Sequence, residues 1–99
     1  MESIVFTAGD AVEPMIVISL SDEKFVCLTQ VLSMIFGKNS SVTLRNLRKR
    51  HDLSKVLVEK AKRYYVNKEG LKLIFSLLRS PKAKDFAVKH LESLMVRVF

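Results

Sequence analysis

Cysteine, glycine, proline and tryptophan are all scarce in this chain. Cys27 is the one cysteine among 99 residues, so the chain cannot form an internal disulfide and a reducing compartment is expected. Three glycines and two prolines are too few for a low-complexity or linker-dominated protein. The composition therefore predicts a single folded domain over residues 1–99, which could also be the N-terminal part of a longer protein.

Long apolar runs are absent as well. No stretch reaches the ~18 apolar residues of a transmembrane helix, and the first residues lack the basic segment and apolar run of a signal peptide. We therefore expect no membrane partner and a nuclear location, with the cytosol as the other candidate.

The residues that catalysis or metal binding would need are few and scattered. His51, His90 and one cysteine cannot supply a four-ligand zinc site without carboxylates, and no C-x-x-C or H-E-x-x-H spacing occurs. Ser76 or Ser80 could be paired with His90 on paper, but there is no G-x-S-x-G turn and no glycine-rich phosphate loop. The sequence predicts a protein that is not an enzyme and that binds no metal or cofactor.

Positive charge is what the chain has in excess, and it is concentrated in the middle. Residues 38–68 hold ten Lys and Arg residues against Asp52 and Glu59, whereas residues 1–37 hold one base against five acidic residues. A charge distribution polarised in this way favours an extended polyanion over a small neutral ligand. Nucleic acid is the first candidate partner, with duplex DNA preferred and RNA as the other candidate.

The first half of the chain predicts strands followed by helices. Apolar runs rich in Val, Ile and Phe at residues 3–7 and 13–20 indicate two strands, and residues 25–27 indicate a third that completes a hairpin over residues 14–27. Thr29 is the predicted N-cap of a helix that runs to residue 36, where Gly37 suits the left-handed position after a helix. A second helix is predicted over residues 42–51, with Leu44 and Leu47 facing inward.

The second half predicts a hairpin and two more helices. Residues 53–58 and 63–66 are typical of strands, although residues 54–61 could also form a helical turn. Asn67 is the predicted N-cap of a helix over residues 68–78, and Ser80-Pro81 begins a last helix that runs nearly to the end. The prediction is a small α+β domain with short β-hairpins and about four helices, for which a winged-helix-like arrangement is one candidate.

One stretch has the pattern E-K-x-x-C-L-T-Q-x-L at residues 23–32. The run reads Glu23-Lys24-Phe25-Val26-Cys27-Leu28-Thr29-Gln30-Val31-Leu32. It resembles the E-K-x-x-C-L-P-Q-x-L signature of the Ski/Sno/Dachshund domain, with Thr29 in place of the family's proline. In that family the signature joins a β-hairpin to the first helix, which agrees with the elements predicted here.

A second stretch combines a strand, a G-L helix start and R-S-x-x-A-x-x-F. Its two parts are Tyr65-Val66-Asn67-Lys68-Glu69-Gly70-Leu71 and Arg79-Ser80-Pro81-Lys82-Ala83-Lys84-Asp85-Phe86. It is similar to the C-terminal half of the Bro-N domain of viral and phage proteins, although Lys89 stands where that family has a tryptophan and its proline near the end of the last helix is missing. Both resemblances imply a small α/β domain associated with DNA binding and transcriptional regulation. Of the matching positions, they leave Asn67, Lys68 and Arg79 as candidates to face a ligand.

The basic side chains of the second helix and the following hairpin form the predicted nucleic-acid site. Arg45, Arg48 and Lys49 share one side of the helix because they are three and four residues apart. Arg45 and Arg48 are the candidates for base edges, and Lys60 and Lys62 for the phosphate backbone. The complete predicted set is Arg45, Arg48, Lys49, Arg50, Lys55, Lys60, Lys62, Arg63 and Lys68. This predicts a DNA-binding module of a transcriptional or chromatin regulator.

Two simpler interpretations stay open. Basic residues at a helix C-terminus suit the helix dipole and are often only solvated, and the outward-facing member of Tyr64 and Tyr65 could pack across strands rather than stack on a base. In the alternative function the domain binds other nuclear proteins without binding DNA. The strand containing Ile4, Val5 and Phe6 could then pair with a second chain at a sheet edge and form a homodimer.

Overall fold

The structure is a computed structural model that describes the backbone of residues 2–8 and 11–99 and the side chains from residue 14 onward. It belongs to the predicted α+β class. The strands are β1 (Glu2–Ala8), β2 (Ala11–Leu20), β3 (Glu23–Cys27), β4 (Leu57–Lys60) and β5 (Arg63–Val66). The α-helices are α1 (Leu28–Phe36), α2 (Ser40–Arg50), α3 (Lys68–Leu77), α4 (Pro81–Phe86) and α5 (Glu92–Val98).

All five strands form one antiparallel sheet in the order β1-β2-β3-β5-β4. The β2–β3 and β4–β5 hairpins close through two-residue turns, Ser21-Asp22 and Ala61-Lys62, in which both residues have positive φ. Such turns follow the right-handed twist of the strands that they join. The order places β1 and β4 at the two edges of the sheet. The β4–β5 hairpin follows α2 in the chain and joins the rest of the sheet through β3.

The two faces of the sheet carry separate apolar clusters. Met15, Val17, Val26 and Val66 pack with the buried residues of the helices and form the main core. Ile18, Phe25, Cys27 and Tyr65 alternate with them along the strands and form a smaller cluster made of sheet residues. The helices therefore cover one face.

The first turn of α1 takes over the hydrogen bonds of β3 where that strand ends. Thr29 Oγ1 accepts from the Tyr64 N–H on the β5 side at 3.2 Å. Gln30 Oε1 accepts from the Ile16 N–H at 2.8 Å on the β2 side, and Gln30 Nε2 donates to the Pro14 carbonyl at 2.9 Å. The prediction that Thr29 caps α1 is therefore wrong, because the cap position is Cys27, two residues earlier, and the Thr29 hydroxyl accepts a hydrogen bond from the sheet.

The predicted starts of the last two helices are confirmed, whereas α2 begins at Ser40, two residues before the predicted start, and ends at Arg50. The Asn67 side chain accepts from the Gly70 N–H at 2.7 Å and caps α3, and the Ser80 side chain accepts from the Lys82 N–H ahead of Pro81. Gly37 has a φ of +57° and lies at the C-terminal end of α1. The last helix is continuous but contains one wider, π-helical turn between α4 and α5, over residues 87–91.

The strand predicted for residues 53–58 is only partly right. The N–H groups of Val56 and Leu57 both donate to the Leu53 carbonyl, at 3.1 and 2.9 Å, so residues 53–57 form one helical turn. The strand β4 begins at Leu57, since Leu53 is buried in the main core and bends the chain away from the sheet. Within the described part of the chain, no helix combines the length and apolarity needed to cross a membrane.

Candidate nucleic-acid interface

Helix α2 presents a largely basic outer side because its buried apolar residues fall on the opposite side. Leu44 and Leu47 are buried in the main core and fix the rotation of the helix. With about 100° between successive residues, Arg45 and Lys49 lie nearly opposite that buried side. Arg48 and Arg50 lie on the two flanks. All four basic side chains are exposed.

A groove of about 270 Å³ separates α2 from the tip of the β4–β5 hairpin, and we call it the hairpin groove. Arg45 and Arg48 line it from α2, and Lys62 lines it from the hairpin turn. Its other lining residues are Thr29, Ser40, Ser41, Leu44 and Tyr64. The fold thus brings together three of the predicted basic residues from two separate elements around one recess.

Tyr64 holds the side chain of Arg48 within this groove. The Arg48 Nη1 donates a hydrogen bond of 2.6 Å to the Tyr64 hydroxyl, and the guanidinium carbon lies 4.6 Å from the centre of the ring. A guanidinium over an aromatic face is attracted by the ring electrons. Arg48 has five N–H donors, so most remain available after this bond. Tyr64 therefore orients a cation, whereas Tyr65 is buried on the other face of the sheet.

A second groove, of about 480 Å³, runs along the opposite flank of α2, and we call it the corner groove. Arg50 lines it from the end of α2, and Arg79 lines it from the connection between α3 and α4. Thr43, Asn46 and His51 add polar groups. Arg79 is one of the positions that the Bro-N resemblance left as a candidate to face a ligand, and it is exposed.

Carboxylates are absent from the residues that line these two grooves. Among the described side chains, the one ion pair within 4 Å joins Lys89 to Asp85 at 3.2 Å, on the last helix. Asp52 and Glu59 share a third recess with Arg48 and Tyr64. Asp52 is occupied by hydrogen bonds from the Ser54 hydroxyl and N–H, which lower the pKa of its carboxyl.

The remaining predicted basic residues do not join these grooves. Lys60 and Arg63 are paired across the hairpin on the same sheet face as Tyr65, because side chains alternate along β4 and β5. Arg63 lies near Cys27 on that face, where its charge acts on the pKa of the thiol. Lys55 and Lys68 are exposed but line neither groove. The predicted patch is therefore divided between two faces of the molecule.

The strand proposed for homodimerisation, β1, lies at one edge of the sheet. It pairs with β2 along its whole length, with Ile4 opposite Met15, Val5 opposite Pro14 and Phe6 opposite Glu13. The sheet order places no described strand on its other side. The side chains of Ile4, Val5 and Phe6 lie outside the described residues.

Sequence reasoning missed two residues on the outer side of α2. Val42 and Asn46 are exposed beside Arg45 and Lys49, and 43% of the Val42 surface is accessible. The signal that identifies them is the helical spacing of 42, 45, 46 and 49, which places all four residues opposite Leu44 and Leu47.

The described side chains contain no group of three or more His, Cys, Asp or Glu residues that could hold a metal ion. Comparison with known proteins found no matching family model, no matching curated protein and no matching solved structure.

Proposed function

We propose that this domain binds nucleic acid, with duplex DNA as the preferred form, as a module of a transcriptional or chromatin regulator. The binding surface is the outer side of α2 together with the hairpin groove, and the interaction consists mainly of phosphate neutralisation.

The arrangement of Arg45, Arg48 and Lys62 is the observation that carries this proposal. The three cations come from two elements and line one recess whose lining contains no carboxylate. Asp52 and Glu59 lie in the adjoining recess that Arg48 shares, and neither forms an ion pair within 4 Å with any of the three cations. Cations that serve only solubility are usually interspersed with acidic residues, which reduce the local potential. An unneutralised cluster attracts an anion, and the repeating charge of a nucleic-acid backbone matches a cluster better than a single small anion does.

The Arg48–Tyr64 contact supports the same function. A hydrogen bond and a cation–π contact, both with Tyr64, hold the guanidinium in place before any ligand arrives. A side chain that is already ordered loses less conformational entropy on binding. The two sequence resemblances, each to a family associated with DNA binding, point in the same direction.

Fluorescence anisotropy with a random-sequence DNA duplex, titrated at several salt concentrations, tests the proposal. If about five phosphates are contacted, the slope of log K against log[salt] is expected to be roughly −4 to −5. The double variant Arg45→Glu, Lys62→Glu is expected to abolish this binding. Arg45 and Lys62 are both exposed, so the melting temperature of the double variant is expected to stay close to that of the unaltered chain.

The matched control is the double variant Lys72→Glu, Lys84→Glu. Both lysines are exposed and line neither groove. Replacing them with glutamate changes the net charge by the same amount as Arg45→Glu, Lys62→Glu does. The control is expected to keep most of the affinity. Equal losses in the two double variants would mean that overall charge, rather than the hairpin groove, governs binding, and that result would refute the proposed site.

The second candidate function is homodimerisation through β1, which the edge position of that strand favours. Sedimentation equilibrium over a range of protein concentrations measures it directly. A concentration-dependent dimer that binds no duplex at low salt would establish this function in place of the first.

A further inference from the structure

The outer side of α2 carries four exposed residues in one row, and we call this row the ridge. It consists of Val42, Arg45, Asn46 and Lys49, which follow one another at three- and four-residue spacing. The ridge faces directly away from Leu44 and Leu47, because the two sets differ by about half a turn of the helix.

The hairpin groove and the corner groove lie on opposite flanks of this ridge. Arg48 and Lys62 line the first groove, and Arg50 and Arg79 line the second. An α-helix with its side chains is about 10–12 Å across. The major groove of B-form DNA is about 12 Å wide and admits one helix between its two phosphate strands. Cations on both flanks of a single exposed helix therefore match the two strands that border a major groove.

We propose that α2 lies in the major groove of B-form DNA, with the ridge against the base edges and one phosphate strand at each flanking groove. This inference rests on the proposed function and adds an orientation and a new contact residue. Arg79 binds a phosphate on the corner-groove side, opposite the phosphate that Lys62 binds. The α3–α4 connection is thereby part of the interface.

The chemistry of the ridge suits base edges. Arginine can donate two hydrogen bonds to guanine, asparagine can make a donor–acceptor pair with adenine, and an apolar side chain can contact the thymine methyl group. Arg45, Asn46 and Val42 supply these three types of group. Removing the exposed apolar surface of Val42 from water is favourable, so the thymine methyl group is a suitable partner for this side chain. Arg48, which Tyr64 already holds toward the flank, is assigned to phosphate in this arrangement.

The same geometry disfavours an RNA duplex. The major groove of A-form RNA is deep and narrow, and side chains on a helix cannot reach the bases there. The ridge would then be left without a partner, and only the flanking cations could contact phosphate. A preference for DNA over RNA of the same sequence is therefore expected.

Three measurements test the inference, and each uses the whole chain. Arg79→Glu is expected to weaken binding to random DNA duplex and to make the salt slope shallower by about one. Arg97→Glu, an exposed arginine on α5 that lines neither groove, is the matched control and is expected to leave the slope unchanged. The Arg50→Glu variant repeats the test from the α2 side of the corner groove.

Asn46→Ala is expected to leave the affinity for random duplex within about twofold. It is expected to change the base preference in oligonucleotides selected from a random pool, because Asn46 reads a base rather than a phosphate. The third measurement compares a DNA duplex with an RNA duplex of the same sequence and salt, and DNA is expected to bind more tightly.

The outcomes separate this inference from the proposed function. If the unaltered chain binds duplex DNA but Arg79→Glu and Arg50→Glu both behave like Arg97→Glu, the corner groove is not used and the orientation is wrong. Equal or tighter binding of the RNA duplex overturns the major-groove placement while leaving nucleic-acid binding intact. If the unaltered chain shows no salt-sensitive binding, both the proposed function and this inference fail.

Discussion

The side-chain amide of Gln30 occupies the place of a peptide group in the sheet. It accepts from the N–H of Ile16 and donates to the carbonyl of Pro14, at the point where β3 has turned into α1. A strand that loses its neighbour leaves polar backbone groups unpaired, and Gln30 satisfies one donor and one acceptor with a single side chain. Gln30 is thus a residue of the fold, although its position just before the basic region would suit a ligand contact equally well.

Removing the Gln30 amide is expected to destabilise the domain. Gln30→Ala leaves both backbone groups of β2 without a protein partner and is expected to lower the free energy of unfolding by about 1–2 kcal/mol. Gln30→Glu keeps the acceptor for Ile16 but sets a carboxylate against the Pro14 carbonyl, so a loss at least as large is expected. Urea denaturation followed by circular dichroism measures both, with the exposed Ser33→Ala on the same helix as control. A Gln30→Glu variant as stable as the unaltered chain would show that the Nε2 bond contributes nothing.

The burial of Cys27 determines the acidity and reactivity of its thiol. Burial raises the pKa of its thiol above the usual value of 9.0, and the neighbouring Gln30 N–H and the Arg63 guanidinium oppose this only in part. Alkylation at pH 8 is therefore expected to be much slower in the folded chain than in urea. The thiol loses its proton at a lower pH in the unfolded chain than in the folded one. The stabilisation that results from this difference is therefore fully present below the unfolded pKa of about 9 and is lost as pH rises through the folded pKa. The difference in unfolding free energy between the unaltered chain and Cys27→Ala, measured from pH 7 to 10, isolates this effect.

At the scale of elements, the tip of the β4–β5 hairpin combines an unfavourable backbone conformation with a useful charge. Ala61 and Lys62 have φ values of +52° and +64°, a region that glycine adopts more readily than residues with a Cβ atom. Lys62 also lines the hairpin groove. A charged residue at a position that favours glycine suggests that the charge has a use, since the backbone conformation alone would select another residue.

Glycine substitutions separate the two properties of this turn. Lys62→Gly and Ala61→Gly are each expected to raise the free energy of unfolding by about 0.5–1 kcal/mol, because each relieves a left-handed conformation. Lys62→Gly alone is expected to weaken duplex binding, since Ala61 carries no charge. Urea denaturation of the two variants measures the free energy of unfolding, and fluorescence anisotropy measures their affinity for the duplex. Weakened binding in both would indicate that the turn conformation, and not the Lys62 charge, matters for the interface.

Local signals in the sequence predicted most of these elements, and longer-range contacts account for the errors. Asn67 and Ser80 act within their own helix turns, so their capping roles could be read from neighbouring residues. Thr29 was misread as a cap because its true partner, Tyr64, is 35 residues away in the chain. The strand predicted for residues 53–58 rested on their apolar residues, but the burial of Leu53 against the helices bends the first part of this segment into a turn.

The candidate site could be predicted only in part for the same reason. The spacing of Arg45, Arg48 and Lys49 on one helix was enough to place them together. The alternation of side chains along β5 places Arg63 and Tyr64 on opposite faces of the sheet. The sequence does not show which of these two faces lies beside α2. The position of Arg79 opposite Arg50 depends on how the α3–α4 connection packs beside α2, which no local pattern encodes.

For the molecule as a whole, thermal stability distinguishes the two candidate functions in one experiment. A duplex that binds only the folded state at ten times its Kd adds about 1.4 kcal/mol of stability, which for a domain near 100 residues raises Tm by about 5–10 °C. This shift is expected to vanish at high salt, because counterion release drives the binding. It is also expected to vanish in Arg45→Glu, Lys62→Glu. A homodimer formed through β1 predicts the opposite dependences, since its Tm rises with protein concentration and is indifferent to DNA. Melting curves over a matrix of protein, duplex and salt concentrations therefore assign the stabilising partner, either a polyanion at α2 or a second chain at β1.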